Sequence, residues 1–205
     1  QNVGTTQTHA ANAAAADLGL YYQNKLNIDL PSEYAFGLQI SNLGTKISYS
    51  DNMESSFLPA NLRLGGRYTM DFDQFNNLSL MVDLNKLLVP TPPVYNEDGS
   101  IYAGMDPNVG ILQGAIQSFY DAPNGLKEEM QEISLSVGAE YWYNKVLAVR
   151  AGYFYEAKNK GARQYLTVGA GLRYNVMGLD ISYLISTSAL SNNPLKNTLR
   201  IALTF

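Results

Sequence analysis

The sequence predicts an all-β chain, an antiparallel barrel crossing a membrane, and three observations carry that prediction. Segments of about ten residues alternate apolar and polar side chains, as a tilted strand does with lipid on one face and a lumen on the other. The connections between them are alternately short and long. Aromatic side chains, among them six of the 15 tyrosines, collect on the apolar faces near one set of strand ends.

Composition permits this reading. With 46% hydrophobic residues the chain is long enough for one large all-β domain. No run approaches the roughly 18 apolar residues of a membrane helix, but barrels escape that criterion because their two faces average out along each strand. A net charge of -4 argues against a phosphate-binding surface and so against nucleic acid. Cysteine is absent, which excludes thiol catalysis, disulfides and thiolate metal sites. The opening Gln1-Asn-Val-Gly-Thr-Thr has no positively charged, then apolar, leader and reads as the start of a mature, trimmed or partial chain.

Ala14 to Leu26 forms the first strand, with Leu18, Leu20 and Tyr22 opposite Asp17, Gly19, Tyr21 and Gln23. Asp29-Leu-Pro-Ser-Glu33 turns the chain, Pro31 breaking the ladder. In the second strand Tyr34, Phe36, Leu38 and Ile40 share a face, yet beyond Asn42-Leu-Gly44 the apolar set moves to Ile47 and Tyr49. One inserted residue explains that parity change, so a β-bulge is expected there. The third strand, Asn61 to Phe72, sets Leu62, Leu64, Tyr68, Met70 and Phe72 against Arg63, Gly65, Arg67, Thr69 and Asp71. In the fourth, Leu78, Leu80, Val82 and Leu84 oppose Ser79, Met81, Asp83 and Asn85.

Between Leu88 and Gln131 the alternation stops. Pro90-Thr-Pro-Pro93 is extended, Asn96-Glu-Asp-Gly99 is a turn, and Asp106-Pro107 is suited to cap and start a helix. Val109, Leu112, Ile116 and Phe119 recur at helical spacing, predicting one short amphipathic helix in this long loop.

Alternation then returns. Ile133, Leu135, Val137, Ala139 and Tyr141 make the fifth apolar face; Leu147, Val149, Ala151, Tyr153 and Tyr155 the sixth. Leu166, Val168, Ala170, Leu172 and Tyr174 follow in the seventh, and Leu179, Ile181, Tyr183 and Ile185 in the eighth. The ninth closes the chain with Leu199, Ile201, Leu203 and Phe205 opposite Thr198, Arg200, Ala202 and Thr204.

If Phe205 is periplasmic, counting backwards places every long loop outside, as in bacterial barrels. Tyr22, Tyr34, Phe36, Tyr68, Phe72, Tyr141, Tyr143, Tyr174 and Phe205 then form an interfacial girdle at the periplasmic ends. Single-chain bacterial barrels have even strand numbers, so nine strands imply an odd number preceding Gln1 or completion by another chain.

The polar faces carry charge: Arg63, Arg67, Arg150, Arg173 and Arg200, with Asp17, Asp71, Asp83, Glu140, Glu156 and Asp180. Two readings stand, a lumen network of salt bridges and a pathway for a polar or anionic solute. Inward glycines (19, 37, 65, 138, 152, 169 and 171) serve either strand curvature or a plug lying against the wall. Catalytic chemistry is nearly silent. His9 is the only histidine, which makes a His-based triad or a multi-histidine metal site improbable, and no cofactor is implied. Asn96-Glu-Asp-Gly-Ser100 reads as a plain turn before it reads as a calcium loop.

The long loop is the candidate partner surface, through Pro90, Pro92, Pro93, Tyr95, Ile101, Tyr102, Val109, Leu112, Ile116 and Phe119. It holds more apolar residues than a solvated loop needs, and they either pack together as a lid or meet a partner.

Several stretches carry a family resemblance: Phe57-Leu-Pro-Ala-Asn-Leu-Arg-Leu-Gly65, Asp83-Leu-Asn-Lys-Leu-Leu-Val-Pro-Thr-Pro-Pro93, Gly138-Ala-Glu-Tyr-Trp-Tyr143, Arg150-Ala-Gly-Tyr-Phe-Tyr155 and Asn192-Asn-Pro-Leu-Lys196. With them the chain resembles the PorV family, also called LptO, outer-membrane proteins of the type IX secretion system of Bacteroidota. The terminal Phe205 likewise resembles the closing strand of outer-membrane barrels, which implies a signal read by the insertion machinery. PorV is similar to FadL-type transporters, which implies a barrel of roughly fourteen strands with an N-terminal plug, this chain being its C-terminal part from 1 to 205. The resemblance implies a non-enzymatic protein of the bacterial outer membrane. It would receive cargo through the cargo's C-terminal signal domain beside the translocon barrel Sov (SprA), and deliver it to the surface sortase PorU. The alternative is a FadL-like transporter of hydrophobic compounds. A part in lipid A deacylation, suggested by the older name, lacks a catalytic set.

Overall fold

The computed structural model describes residues 11–48, 55–188 and 196–205. His9, Tyr49 and most of the Asn192-Asn-Pro-Leu-Lys196 stretch lie outside them. In order, the elements are β1 (Ala15–Leu26), β2 (Ser32–Gly44), β3 (Asn61–Asp71), β4 (Asn76–Leu87), β5 (Val94–Tyr95), β6 (Ile101–Ala103), α1 (Ile111–Gln117) and α2 (Leu126–Gln131). β7 (Ile133–Tyr143), β8 (Leu147–Tyr155), β9 (Gln164–Tyr174), β10 (Met177–Ser186) and β11 (Leu199–Thr204) complete the chain. The protein is all-β, with one sheet of nine strands in sequence order and a separate β5–β6 hairpin. β1 and β11 stand at the two ends of that order.

Two compact units divide the chain. One comprises Gln1–Gly19, Gln39–Leu62 and Lys86–Met130, and the other Leu20–Leu38, Arg63–Asn85 and Gln131–Phe205. The first holds the long loop and the second most of the strand residues.

Register shows why alternation is the governing signal. Leu203 pairs with Leu179 and Ile201 with Ile181 across β10 and β11. Leu179 and Ile181 in turn meet Leu172 and Ala170 of β9. Leu172 meets Leu147 of β8, which meets Tyr143 of β7. Since successive side chains of a strand point to opposite faces, this pairing builds one continuous apolar surface and one polar surface.

That apolar surface is the exposed one. Ile201 is 60% exposed and Leu203 68%, whereas among the described residues the largest fully buried side chains are Gln117, Asp121 and Ser118. Among the described residues the buried apolar set is Ala35, Ala60, Ala122, Ala148, Ala157, Ala162 and Leu88, far too small for a water-soluble core. Leaving a Leu or Ile in water forgoes about 1.5–3 kcal/mol, so a face of this size fits apolar surroundings better than water. Among the described residues no helix is long and apolar enough to cross a membrane. Strands that alternate in this way fit a membrane barrel.

Connections follow the expected rhythm. Residues 27–31, 72–75, 144–146 and 175–176 are tight, and 45–60, 88–132, 156–163 and 187–198 are long. Asn144 and Lys145 have φ of 52° and 55°, two left-handed residues within the three-residue connection from β7 to β8. Asp73 accepts the N–H groups of Phe75 and Asn76, which holds the 72–75 turn. Asn42 has φ 56° inside β2 and gives its N–H to Asp17 Oδ1 at 2.8 Å, the local distortion expected of a bulge at this point.

Candidate functional site

Two groupings of the sequence candidates have defined geometry: charges on the polar face, and the 88–131 loop.

On the polar face, strand neighbours bring together residues far apart in sequence. Arg150 pairs through Nε with Glu140 and through Nη1 with Asp180 Oδ1 at 2.6 Å; Arg173 Nη2 reaches Asp180 Oδ2 at 2.7 Å. Both guanidinium groups stand 5.4 Å from the Trp142 ring. Two cations meet two anions, so this cluster is internally neutral. Each partly exposed pair contributes about 0.2–1 kcal/mol, which orders the wall without creating a field for an anionic solute.

Glycine makes room for it. A Cβ at Gly171 would stand 2.6 Å from Asp180 Oδ1 and 2.8 Å from Arg150 Nη1, and one at Gly65 2.5 Å from Asp83 Oδ1. These inward glycines vacate space for charged side chains of the neighbouring strand, a role beyond curvature or a plug.

A second ion pair joins β3 to β2. Arg67 Nη2 lies 2.8 Å from Glu33 Oε1 and 3.5 Å from the Tyr21 hydroxyl. Glu33 is the second residue of β2, just after the Pro31 turn, so local pattern assigns it to the turn and not to a network. Among the described residues, Arg63, Asp71, Asp83 and Arg200 stand outside these ion pairs. Asp71 borders a depression at the 72–75 turn, and Arg200 another beside Tyr165, Thr167 and Ser182.

The long loop holds two helices and a hairpin where one helix is predicted. The first helix begins at Ile111, with Gly110 as its N-cap and no side-chain cap. Asp106 does not cap it: its carboxylate takes the Asn108 N–H at 2.8 Å, closing a local turn ahead of the helix. Asn96 and Ser100 close the β5–β6 hairpin, with Asp98 accepting both the N–H and hydroxyl of Ser100. Those hydrogen bonds, the hydroxyl's first, hold Asp98 below the usual carboxylate range. They account for Asn96-Glu-Asp-Gly-Ser100 as a turn.

α1 lies with its apolar side outward. Gly114, Gln117 and the following Ser118 and Asp121 are buried, while Leu112 and Ile116 are 67% and 64% exposed. Gly114 permits the close approach, since a Cβ there would meet the Phe57 ring at 2.8 Å and Pro90 at 3.0 Å. Gln117 Nε2 donates to the Asp106 carbonyl at 2.9 Å.

Beneath α1 the polar interior is explicit. Asp121 Oδ2 accepts the Thr91 N–H at 3.1 Å, and its Oδ1 is buried with no hydrogen-bond partner among the described residues. Burial is the main cause that raises the Asp121 carboxyl above its ordinary range; Glu129 adds to the rise. Lys86 Nζ meets Glu129 Oε2 at 3.1 Å, and Glu129 Oε1 takes the Ala122 N–H at 2.8 Å.

Of the loop residues singled out from sequence, Pro90 and Pro93 are buried and serve packing, and Val109 is half-buried. Pro92, Tyr95, Ile101, Tyr102, Leu112, Ile116 and Phe119 are exposed. Tyr120, Leu126 and Met130 are exposed too and were missed. The i, i+4 spacing of Leu126 and Met130 was the available signal. The loop's interior combines Gln117, Ser118, Asp121 and Glu129 with Leu88, Pro90, Pro93 and Ala122, while its larger apolar side chains lie outside.

A family model described as PorV, type IX secretion system protein PorV, matches residues 1–94. The matched segment runs through β1 to β4 and stops at the first residue of β5. The resemblance to PorV is borne out over that segment. No curated protein matches the chain.

Proposed function

We propose that this chain, joined to type IX secretion by its first 94 residues, is part of a non-enzymatic outer-membrane barrel that captures secreted cargo. In this reading it binds the C-terminal signal domain of the cargo beside the translocon barrel Sov (SprA), and passes the cargo to the sortase PorU. The 88–131 loop is the extracellular contact surface, and residues 1–205 are the C-terminal portion of the barrel.

One observation carries the reading. α1 buries Gln117 and exposes Leu112 and Ile116, which costs free energy in water unless something apolar covers them. Neutral pairing of Arg150 and Arg173 with Glu140 and Asp180 gives less support to solute passage along the polar face.

The test uses the full-length protein, extracted in detergent and offered a reporter fused to a cargo signal domain. Co-purification of reporter and translocon is expected, with loss of the reporter when residues 90–119 are replaced by a short Gly-Ser linker. Unchanged recovery from the linker variant would reject this loop as the surface. Failure to recover cargo at all, combined with passage of hydrophobic solutes into liposomes, would favour a FadL-like transporter.

A further inference from the structure

We propose that the polar face of β9 to β11 carries a binding site for a small carboxylate that bears hydroxyl groups, of the size and kind of a sugar acid. Arg200 holds its charge and Tyr165 its ring. The site shares no residue with the 88–131 loop and does not rest on the reading of that loop.

Register builds the site in three rows. Arg200 stands opposite Ser182, which stands opposite Gly169. In the next row Leu184 gives its N–H to the Thr198 carbonyl and stands opposite Thr167. Ser186 and Tyr165 make the third. The surface sinks there into a depression of 190 Å³ bordered by Tyr165, Thr167, Ser182, Leu184, Thr198 and Arg200. Glycine at 169 adds no side chain to fill it.

Arg200 is the surplus charge of this wall. Arg150, Arg173 and Arg200 stand on β8, β9 and β11 against Glu140 of β7 and Asp180 of β10. Asp180, two residues from Ser182 on the same face, has both oxygens taken: Oδ1 by Arg150 and Oδ2 by Arg173. Arg200 makes no ion pair among the described residues, so its guanidinium keeps a fork of donors for a carboxylate.

Tyr165 supplies an apolar wall already fixed in place. Phe154 of β8 stacks on one side of its ring, with centroids 4.9 Å apart and planes 14° from parallel, and Arg163 lies 5.8 Å from the Phe154 ring. The residues that share the depression with Tyr165 come from β10 and β11, on the side away from Phe154. An aromatic face offers its negative π surface to the C–H groups of a sugar ring.

Hydroxyls complete the lining. Thr167 donates to the Gly152 carbonyl at 3.3 Å and keeps its oxygen as an acceptor, while Ser182 and Thr198 each bring a donor and an acceptor. A cation would be repelled by Arg200. Inorganic phosphate would leave Tyr165 and Leu184 unused, and a neutral sugar would leave Arg200 unused. A hydroxylated carboxylate engages the charge, the ring and the hydroxyls together.

The test uses the full-length protein in zwitterionic nanodiscs, with empty nanodiscs as blank and equilibrium dialysis as the measurement. D-glucuronate, D-glucose and inorganic phosphate are the probes. Glucuronate is expected to bind about tenfold more tightly than either other and to weaken as salt rises. Arg200→Gln should lower its affinity about tenfold, with Arg200→Lys, which keeps the charge without the fork, falling between. Tyr165→Leu should cost about fivefold. Arg63→Gln removes an arginine of the polar face outside the site and should change nothing. An unchanged urea midpoint in lipid vesicles shows that each variant is folded. No glucuronate binding, equal binding of glucose or of phosphate, or an Arg200→Gln variant that binds like the parent would each overturn the proposal. An equal loss in Arg63→Gln would assign the effect to net charge and overturn it too.

Discussion

Lys86 Nζ and Glu129 Oε2 lie 3.1 Å apart, with both side chains less than a tenth exposed. This buried ion pair fastens the end of β4 to α2 across an intervening chain segment, and Glu129 spends its second oxygen on the Ala122 N–H. Burial of this kind makes the pair costly to break from one side.

Lys86→Met is therefore expected to loosen the loop by about 3–5 kcal/mol, because Glu129 is left charged and desolvated. Adding Glu129→Met should restore most of the loss. Amide exchange at Ala122 in the full-length protein measures both variants. Equal exchange in Lys86→Met and the double variant would show that the pair does not hold the loop.

Asp121 gives the loop a pH dependence whose sign follows from burial. Its folded-state carboxyl is raised, so its contribution to loop stability is complete below the unfolded value and declines as pH rises through the raised folded value. Thr91, whose N–H bonds to Asp121, should exchange faster, after correction for intrinsic rates, as pH rises through that window. Asp121→Asn keeps an acceptor for that N–H and should flatten the profile.

Gly114 sits where any side chain strikes Phe57 and Pro90. Gly114→Val is expected to destabilise the loop by about 1–3 kcal/mol, the usual range for overpacking. Phe57→Ala in the same chain should recover part of it. Limited proteolysis within residues 88–131 reads the effect.

Ile201 and Ala202 are neighbours on β11 and point to opposite faces of the sheet, pairing with Ile181 and Asp180. Ile201→Arg should cost about 2–4 kcal/mol in a bilayer, the range for a cation near the midplane of a barrel's lipid face. Ala202→Arg should cost much less. Urea midpoints in lipid vesicles distinguish them, and equal losses would contradict the assignment of faces.

How far each feature was legible depends on how local its cause is. The nine strands, their two faces, the alternation of short and long connections and the distortion near Asn42 all follow from side-chain direction along one strand, which reverses at every residue. Reading Leu199, Ile201 and Leu203 in sequence was enough to assign them to one exposed face. Charge partners were not legible, because Arg150, Glu140 and Asp180 meet through the register of β7, β8, β9 and β10, which no single strand specifies. Helical spacing identified Leu112 and Ile116 as one stripe, but spacing is symmetrical with respect to inside and outside. Only the tertiary structure decided that this stripe faces out, because Gly114 lets α1 approach Phe57 and Pro90, and Gln117 and Asp121 find hydrogen bonds inside that leucine could not make.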